Sequence, residues 1–135
     1  MTIRPYQDRD RNALLQLWSS IFPDPAPHNE PSTVIEAKLA VDDLIFVAEH
    51  EGALIGMCIA GYDGLRGWLY AVGVSPENRH QGTGTALIKH AIDTIKGLGC
   101  TKVNLQIRAG NTEVTAFYAS LGFSIEERVS MGMLL

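Results

Sequence analysis

Two β-like runs separated by one amphipathic stretch constrain this 135-residue chain more than any other feature. Trp68 to Val74 is rich in apolar and aromatic residues, and Lys102 to Arg108 alternates apolar with polar. Between them, from Thr85 to Leu98, positions 87, 88, 91, 92, 95 and 98 form an apolar stripe at helical steps, while Lys89, His90, Asp93 and Lys96 are expected to face water. A strand, a crossover helix and a second strand in one sheet lie parallel, with a right-handed connection. The helix is entered through Ser75-Pro76 and Arg79-His80-Gln81-Gly82-Thr83-Gly84. A glycine-rich turn that opens a helix leaves the first backbone N–H groups without intrahelical partners, where an anion can accept them. Taken alone, the hexapeptide is a weak signal that reads first as a plain turn and only second as an anion cradle.

The remaining segments surround this unit. Ile3 to Tyr6 is extended, and Asp8 is positioned to cap a helix burying Ala13, Leu14, Leu17, Trp18 and Ile21. Four prolines, at 23, 25, 27 and 31, predict a stiff extended loop over 22–31, followed by a short helix from Thr33 to Ala40 capped by Ser32 or Thr33. Leu44 to Glu49 and Ala53 to Gly61 predict an antiparallel hairpin across His50-Glu51-Gly52, and Tyr62 to Gly67 is a second turn. Gly99 suits a helix C-cap; Asn111 suits an N-cap of a helix ending near Leu121-Gly122, and Phe123 begins a final extended stretch to Leu135. The expected order is β-α-α-β-β-β-α-β-α-β. This is a single α/β domain over 1–135, with about four helices and a mostly antiparallel mixed sheet. A ligand is expected at the carboxyl ends of the parallel pair, where the glycine turn and the Asn111 helix begin.

Composition excludes several functions. With 46% hydrophobic and 19% charged residues the chain is globular rather than disordered. A formal net charge of -4 without a basic cluster argues against nucleic acid as a partner. No apolar run approaches the ~20 residues of a membrane span, and the N-terminus has no secretory h-region. Cys58 and Cys100 lack Cys-x-x-Cys spacing and read as reduced and structural, which predicts a cytoplasmic protein. The four histidines sit at no recognised ligand spacing, so no metal is expected. The turn lacks the Lys-Ser/Thr of a P-loop, and no acidic residue follows at a Rossmann position.

Three motifs, in order, resemble those of the GCN5-related N-acetyltransferase (GNAT) superfamily over nearly the whole chain. Val72-Gly73-Val74-Ser75-Pro76 is similar to the family's fourth strand and its exit. Arg79 to Gly84 fits (Gln/Arg)-x-x-Gly-x-(Gly/Ala), and Asn111 through Tyr118 to Gly122-Phe123 fits Asn-x6-Tyr-x3-Gly-Phe. The resemblance implies acetyl-CoA in a cleft where the two parallel strands splay, with transfer of acetyl to a primary amine of a small molecule or peptide in a ternary complex. Backbone groups of Val72, Gly73 and Val74 would pair with the pantetheine arm like an added strand. N–H groups of His80, Gln81, Gly82, Thr83, Gly84 and Thr85 would hold the pyrophosphate beside Arg79. Asn111 would contact the cofactor, although it serves equally well as a helix N-cap. Tyr118 takes the family's general-acid position; on composition alone it is a core aromatic.

The general base is the weak point of the pattern. A lysine-like amine has pKa near 10.4, so its neutral form at pH 7.4 is rarer by about three log units, or about 4 kcal/mol. By register, Gln106 stands where the branch that acetylates ribosomal-protein N-termini has a glutamate, and an amide accepts no proton at neutral pH. Deprotonation would run through water, Tyr70, Asp63 or Glu30. Asp63 reads first as an Asx-turn residue, and Asp24, His28, Glu30, Asp42 and Asp43 read either as attraction for a cationic acceptor or as solvated surface. The missing base keeps a second reading open, a catalytically silent CoA-binding module of the same fold. The chain is expected to be a monomer or a homodimer, since Met131 to Leu135 could pair across a dimer.

Overall fold

The chain begins with β1 (Thr2–Pro5), a single 3-10 turn at Asp8–Asp10, and α1 (Arg11–Ile21). A second 3-10 turn, Pro27–Asn29, leads to α2 (Pro31–Leu39). Then follow β2 (Ile45–His50), β3 (Ala53–Tyr62), β4 (Gly67–Leu69), β5 (Gly73–Val74), α3 (Thr83–Gly97), β6 (Val103–Asn104) and α4 (Thr112–Ser120). The computed structural model describes residues 1–23 and 25–135. They gather into two compact units, Met1–Leu105 and Gln106–Leu135.

The sheet of the first unit runs β1-β2-β3-β4-β6, with β5 also paired to β3. All pairs are antiparallel except β4 with β6, which run parallel with Gly67 opposite Val103 and Trp68 opposite Asn104. The β2–β3 hairpin turns through Glu51 and Gly52 at φ 51° and 80°, the left-handed pair whose twist matches its flanking strands. On one face of the sheet Leu14, Leu17 and Trp18 of α1 and Ile35 of α2 pack with Ile45, Val47, Met57 and Ile59. On the other lies α3, whose Leu87, Ile88, Ala91 and Ile95 are buried as the stripe predicts. Truncating a side chain such as Leu14, which is wholly buried, costs about 2–5 kcal/mol.

Arg4 ties the first strand to this core. Its guanidinium grips the buried Asp10 carboxylate at 2.8 and 2.9 Å, and its Nε donates to Glu49 at 2.7 Å. Asp10 also accepts the Gln7 N–H at 2.8 Å. Those bonds hold the Asp10 carboxyl below its usual range, against the opposing effect of burial.

Several expected boundaries move, each for a local reason. Asp8 lies in the 3-10 turn and Asp10 at the start of α1, its carboxylate committed to Arg4 and not to the cap. The proline loop is not wholly extended: Pro27–Asn29 is helical in the 3-10 sense, and Pro31 opens α2, since a proline at the first helical position loses no hydrogen bond. Glu30, not Ser32 or Thr33, caps α2. The predicted strand 68–74 is broken at 70–72, and 102–108 is reduced to Val103–Asn104. α3 starts at Thr83, and its predicted stripe residue Leu98 is 59% exposed because the helix has already ended. Gly99 (φ 106°) closes it as expected, with Gly99 N–H on Lys96 O and Cys100 N–H on Ile95 O. His90 does not face water freely but packs edge-on against Phe46, ring centroids 5.1 Å apart. No strand follows α4, so the final extended stretch from Phe123 joins no ladder among the described residues. No helix among them is long and apolar enough to cross a membrane.

In the second unit Asn111 Oδ1 accepts the Val114 N–H at 3.2 Å, the N-cap predicted for α4. The helix ends in a Schellman motif: Gly122 has φ 101°, its N–H donates to Ala119 O, and Phe123 N–H reaches back to Tyr118 O. The apolar contact that accompanies such a motif is Phe123 on Tyr118, ring centroids 5.5 Å apart. The Tyr-x3-Gly-Phe spacing is therefore what this helix end requires.

Candidate functional site

The most distinctive local structure lies where β4 passes into β5. Leu69 pairs with Ala60 and Gly73 with Met57, so Tyr70, Ala71 and Val72 stand opposite only Cys58 and Ile59. One extra residue makes a β-bulge. Tyr70 N–H donates to Ile59 O, and Val72 N–H turns back onto Tyr70 O at 3.0 Å. Beyond the bulge the chain is paired on one side alone, because β6 accompanies β4 only as far as Trp68 while β5 pairs with β3.

The bonding phase of that short ladder decides which groups face the free edge. Ser75 N–H donates to Ile55 O at 2.8 Å. In an antiparallel ladder this makes Met57–Gly73 the hydrogen-bonded pair and Gly56–Val74 the non-bonded one. Gly73 thus directs its polar groups at β3, whereas Val74 turns its N–H and C=O outward. Gly73 has a different reason to lack a side chain: a Cβ there would lie 2.7 Å from Ile21 Cγ2 and 3.2 Å from Phe22 Cζ.

From β5 a tight turn leads into α3. Ser75 Oγ donates to Asn78 Oδ1 at 2.6 Å, bracing the 3-10 turn Pro76–Asn78. Arg79 folds back, its Nε donating to Val74 O at 3.2 Å, so the strand edge and the helix entrance are tied by one side chain. His80 has φ 63° and Gly82, the N-cap of α3, has φ 83° and ψ 3°. Gly82 offers no side-chain cap, and the first intrahelical bond is Ala86 N–H to Gly82 O. The N–H groups of Thr83, Gly84 and Thr85 consequently lack intrahelical partners at the positive end of a 15-residue helix. A left-handed residue followed by a helical one makes an anion-binding nest of backbone N–H groups.

The two candidate carboxylate bases are otherwise engaged. Both oxygens of Glu30 accept from Ser32 and Thr33, through backbone N–H and hydroxyl alike, which holds the carboxyl down at about 2. Asp63 Oδ1 accepts from Arg66 N–H at 2.8 Å and Leu65 N–H at 2.7 Å, the expected Asx turn, and those bonds lower its pKa. Tyr70 moves the other way: desolvation, then the Asp63 and Asp42 carboxylates, raise its phenol. A carboxylate with a depressed pKa and a phenol with a raised one are both poor proton acceptors. Gln106, in the second unit, donates from Nε2 to Ser130 Oγ at 2.6 Å. Asp24 lies outside the described residues.

Sequence reasoning located the residues of the glycine turn and missed the bulge, the Arg79–Val74 bond and the Glu30 cap. The bulge has no composition of its own and is visible only as a count of residues between paired positions. Glu30-Pro31, by contrast, carried a readable signal, since proline favours the first helical position.

The fold is a mixed sheet between helices, with a bulged strand whose edge is free and an uncapped helix mouth directly after it. Residues 11–123 match the acetyltransferase (GNAT) family model, and the chain belongs to that family. It is 35% identical over 136 residues to the acetyltransferase YE1169 of Yersinia enterocolitica, spanning 100% of this chain and 96% of that protein. The ribosomal-protein-S18-alanine N-acetyltransferase of Escherichia coli superposes with TM-score 0.79 at 25% identity, covering 91% of this chain and 77% of the other. An aminoglycoside N-acetyltransferase, AAC(6')-Iy, in complex with CoA gives TM-score 0.83 at 23% identity over 98% and 93% of the two chains, a likeness of fold. The chain is thus an acyltransferase of the GNAT type, as its motifs led us to expect.

Proposed function

We propose that the protein transfers the acetyl group of acetyl-CoA to a primary amine of a small molecule or peptide, directly in a ternary complex. The observation that carries this reading is the uncapped entrance of α3 next to the one-sided edge of β5. A diphosphate fits three backbone N–H groups at a helix N-terminus, and an amide-bearing pantetheine arm fits the outward Val74 N–H. The CoA complex of a neighbour of the same fold supports the choice of carrier. Arg79, positioned at Val74 O, adds charge near both.

In the transfer the amine lone pair forms a C–N bond at the thioester carbonyl as the C–S bond breaks. The departing thiolate takes a proton, and the amine nitrogen releases one. Tyr118 is proposed as the donor to the thiolate on its place in the family motif; its ring is fixed by Phe117 and Phe123, centroids 5.2 and 5.5 Å away. Asn111 is proposed to contact the cofactor through what remains of its hydrogen-bonding capacity, its Oδ1 already capping α4. With Glu30 and Asp63 held as carboxylates by their own loops, water is the proposed acceptor of the amine proton.

The test is thiol release from acetyl-CoA with a panel of amines and peptides, for wild type and Tyr118→Phe. Loss of the acid should lower kcat by about 10²–10⁴-fold while leaving the Kd for CoA unchanged. Binding of acetyl-CoA without turnover of any acceptor would instead support a silent CoA-binding module.

A further inference from the structure

We infer that Tyr70 is an acceptor-binding residue, its hydroxyl taking a hydrogen bond from the amine N–H and its ring seating the acceptor's carbon skeleton. This rests on the transferase reading above. Tyr70 directly follows β4, its N–H still bonded to Ile59 O, and strand alternation puts its side chain on the face of Trp68, opposite to that of the buried Leu69. Tyr70 is 61% exposed yet not loose, because its ring stacks on Trp68 with centroids 6.5 Å apart and planes 22° from parallel.

A glycine makes the floor beneath it. A Cβ on Gly61 would lie 3.3 Å from Tyr70 Cε2, 3.6 Å from its hydroxyl oxygen and 3.7 Å from Lys38 Nζ. The missing side chain lets the ring lie across β3 with the phenol end beside α2. Lys38 does not take that phenol; its ammonium is held by Asp42 at 2.8 Å and 2.9 Å on the two carboxylate oxygens. The Tyr70 hydroxyl makes no hydrogen bond with the described residues. An aromatic clamped at its ring and free at its polar tip suits the seating of an amphipathic ligand.

The surrounding charge favours this role over that of a base. Asp42 and Asp63 face the phenol with negative potential, Lys38 is paired, and the hydroxyl keeps its proton at neutral pH. A neutral phenol can accept a hydrogen bond from an amine N–H without removing the proton. The nitrogen lone pair then stays available for attack, and its direction is fixed by the bond.

Wild type, Tyr70→Phe and Tyr70→Ala are assayed by thiol release with spermidine, an aminoglycoside, a lysine-bearing peptide and a peptide with a free N-terminal alanine. Acetyl-CoA affinity and Tm are measured alongside. For the best acceptor, Tyr70→Phe should lower kcat/KM about five- to tenfold and Tyr70→Ala about a hundredfold, with acetyl-CoA Kd and Tm unchanged for Tyr70→Phe. Unchanged kcat/KM in Tyr70→Phe, with wild type active, overturns the Tyr70 assignment and leaves the transferase reading standing. Binding of acetyl-CoA by wild type without turnover of any of the four acceptors overturns both.

Discussion

Gly82→Ala separates the two roles of the glycine turn, conformational and anion-binding. Gly82 has φ 83° and ψ 3°, and a Cβ built on it meets nothing within 4 Å. The substitution therefore creates no clash, and its folding cost is the left-handed dihedral alone, about 1–2 kcal/mol for a residue with a Cβ. At about 2.1 cal/mol/K per residue, a chain of 135 residues has an unfolding entropy of about 0.28 kcal/mol/K, so Tm should fall by about 4–7 °C. The methyl group also enters the open space at the mouth of α3. Displacing one charge-assisted N–H bond to a phosphate costs about 1.5–3 kcal/mol, which is about 10- to 100-fold in Kd for CoA. Gly64 supplies a matched control: φ is 91° and nothing lies within 4 Å, but it sits in the β3–β4 turn. Gly64→Ala should lose a similar Tm and no CoA affinity, read by thermal melts and isothermal titration calorimetry. Equal CoA affinity in wild type and Gly82→Ala, or equal loss in both variants, would refute the cradle.

His80, at φ 63°, is a non-glycine residue in the same strained region, and His80→Gly should raise Tm by about 4 °C through relief of about 1 kcal/mol. A fall in Tm would show that its side chain stabilises the turn by more than the strain. Asp10→Ala removes the bidentate partner of Arg4 and should cost about 3 kcal/mol, measured by urea denaturation at pH 7. A loss under about 1 kcal/mol would reduce the network to a surface ion pair. Because the folded Asp10 pKa lies below the unfolded value of about 3.9, its contribution is complete above that pH and declines as pH falls through the folded value. The gap between wild type and Asp10→Asn should accordingly narrow below about pH 4, and a gap independent of pH would assign the effect to packing.

The legible part of this protein was whatever depends on neighbours in sequence. Helix α3 is written in the spacing of Leu87, Ile88, Ala91 and Ile95, and its end in Gly99; α4 is written in Asn111 and in the Tyr118-Gly122-Phe123 spacing of a Schellman motif. The β2–β3 hairpin follows from its turn, and the parallel relation of β4 and β6 from the helix between them. Local bonding fixes these, so local sequence displays them. The glycine turn belongs to the same class, since a left-handed N-cap needs Gly82 wherever the chain lies.

Tertiary structure decided what depends on a partner distant in sequence. Whether Tyr70 to Val72 continue a strand or bulge out of it is set by how many residues of β3 stand opposite, and no residue in 70–72 carries that count. The phase of the same ladder turns Val74 outward and Gly73 inward, although the motif presents them alike. The candidate bases were sorted in the same way: three groups that the sequence offers for one role became a cap, an Asx turn and a free phenol once the chain had folded. Sequence chose the chemical groups and their local geometry. The fold determined which of their donors and acceptors remained available to a ligand, because a hydrogen bond made inside the protein is one that a substrate cannot use.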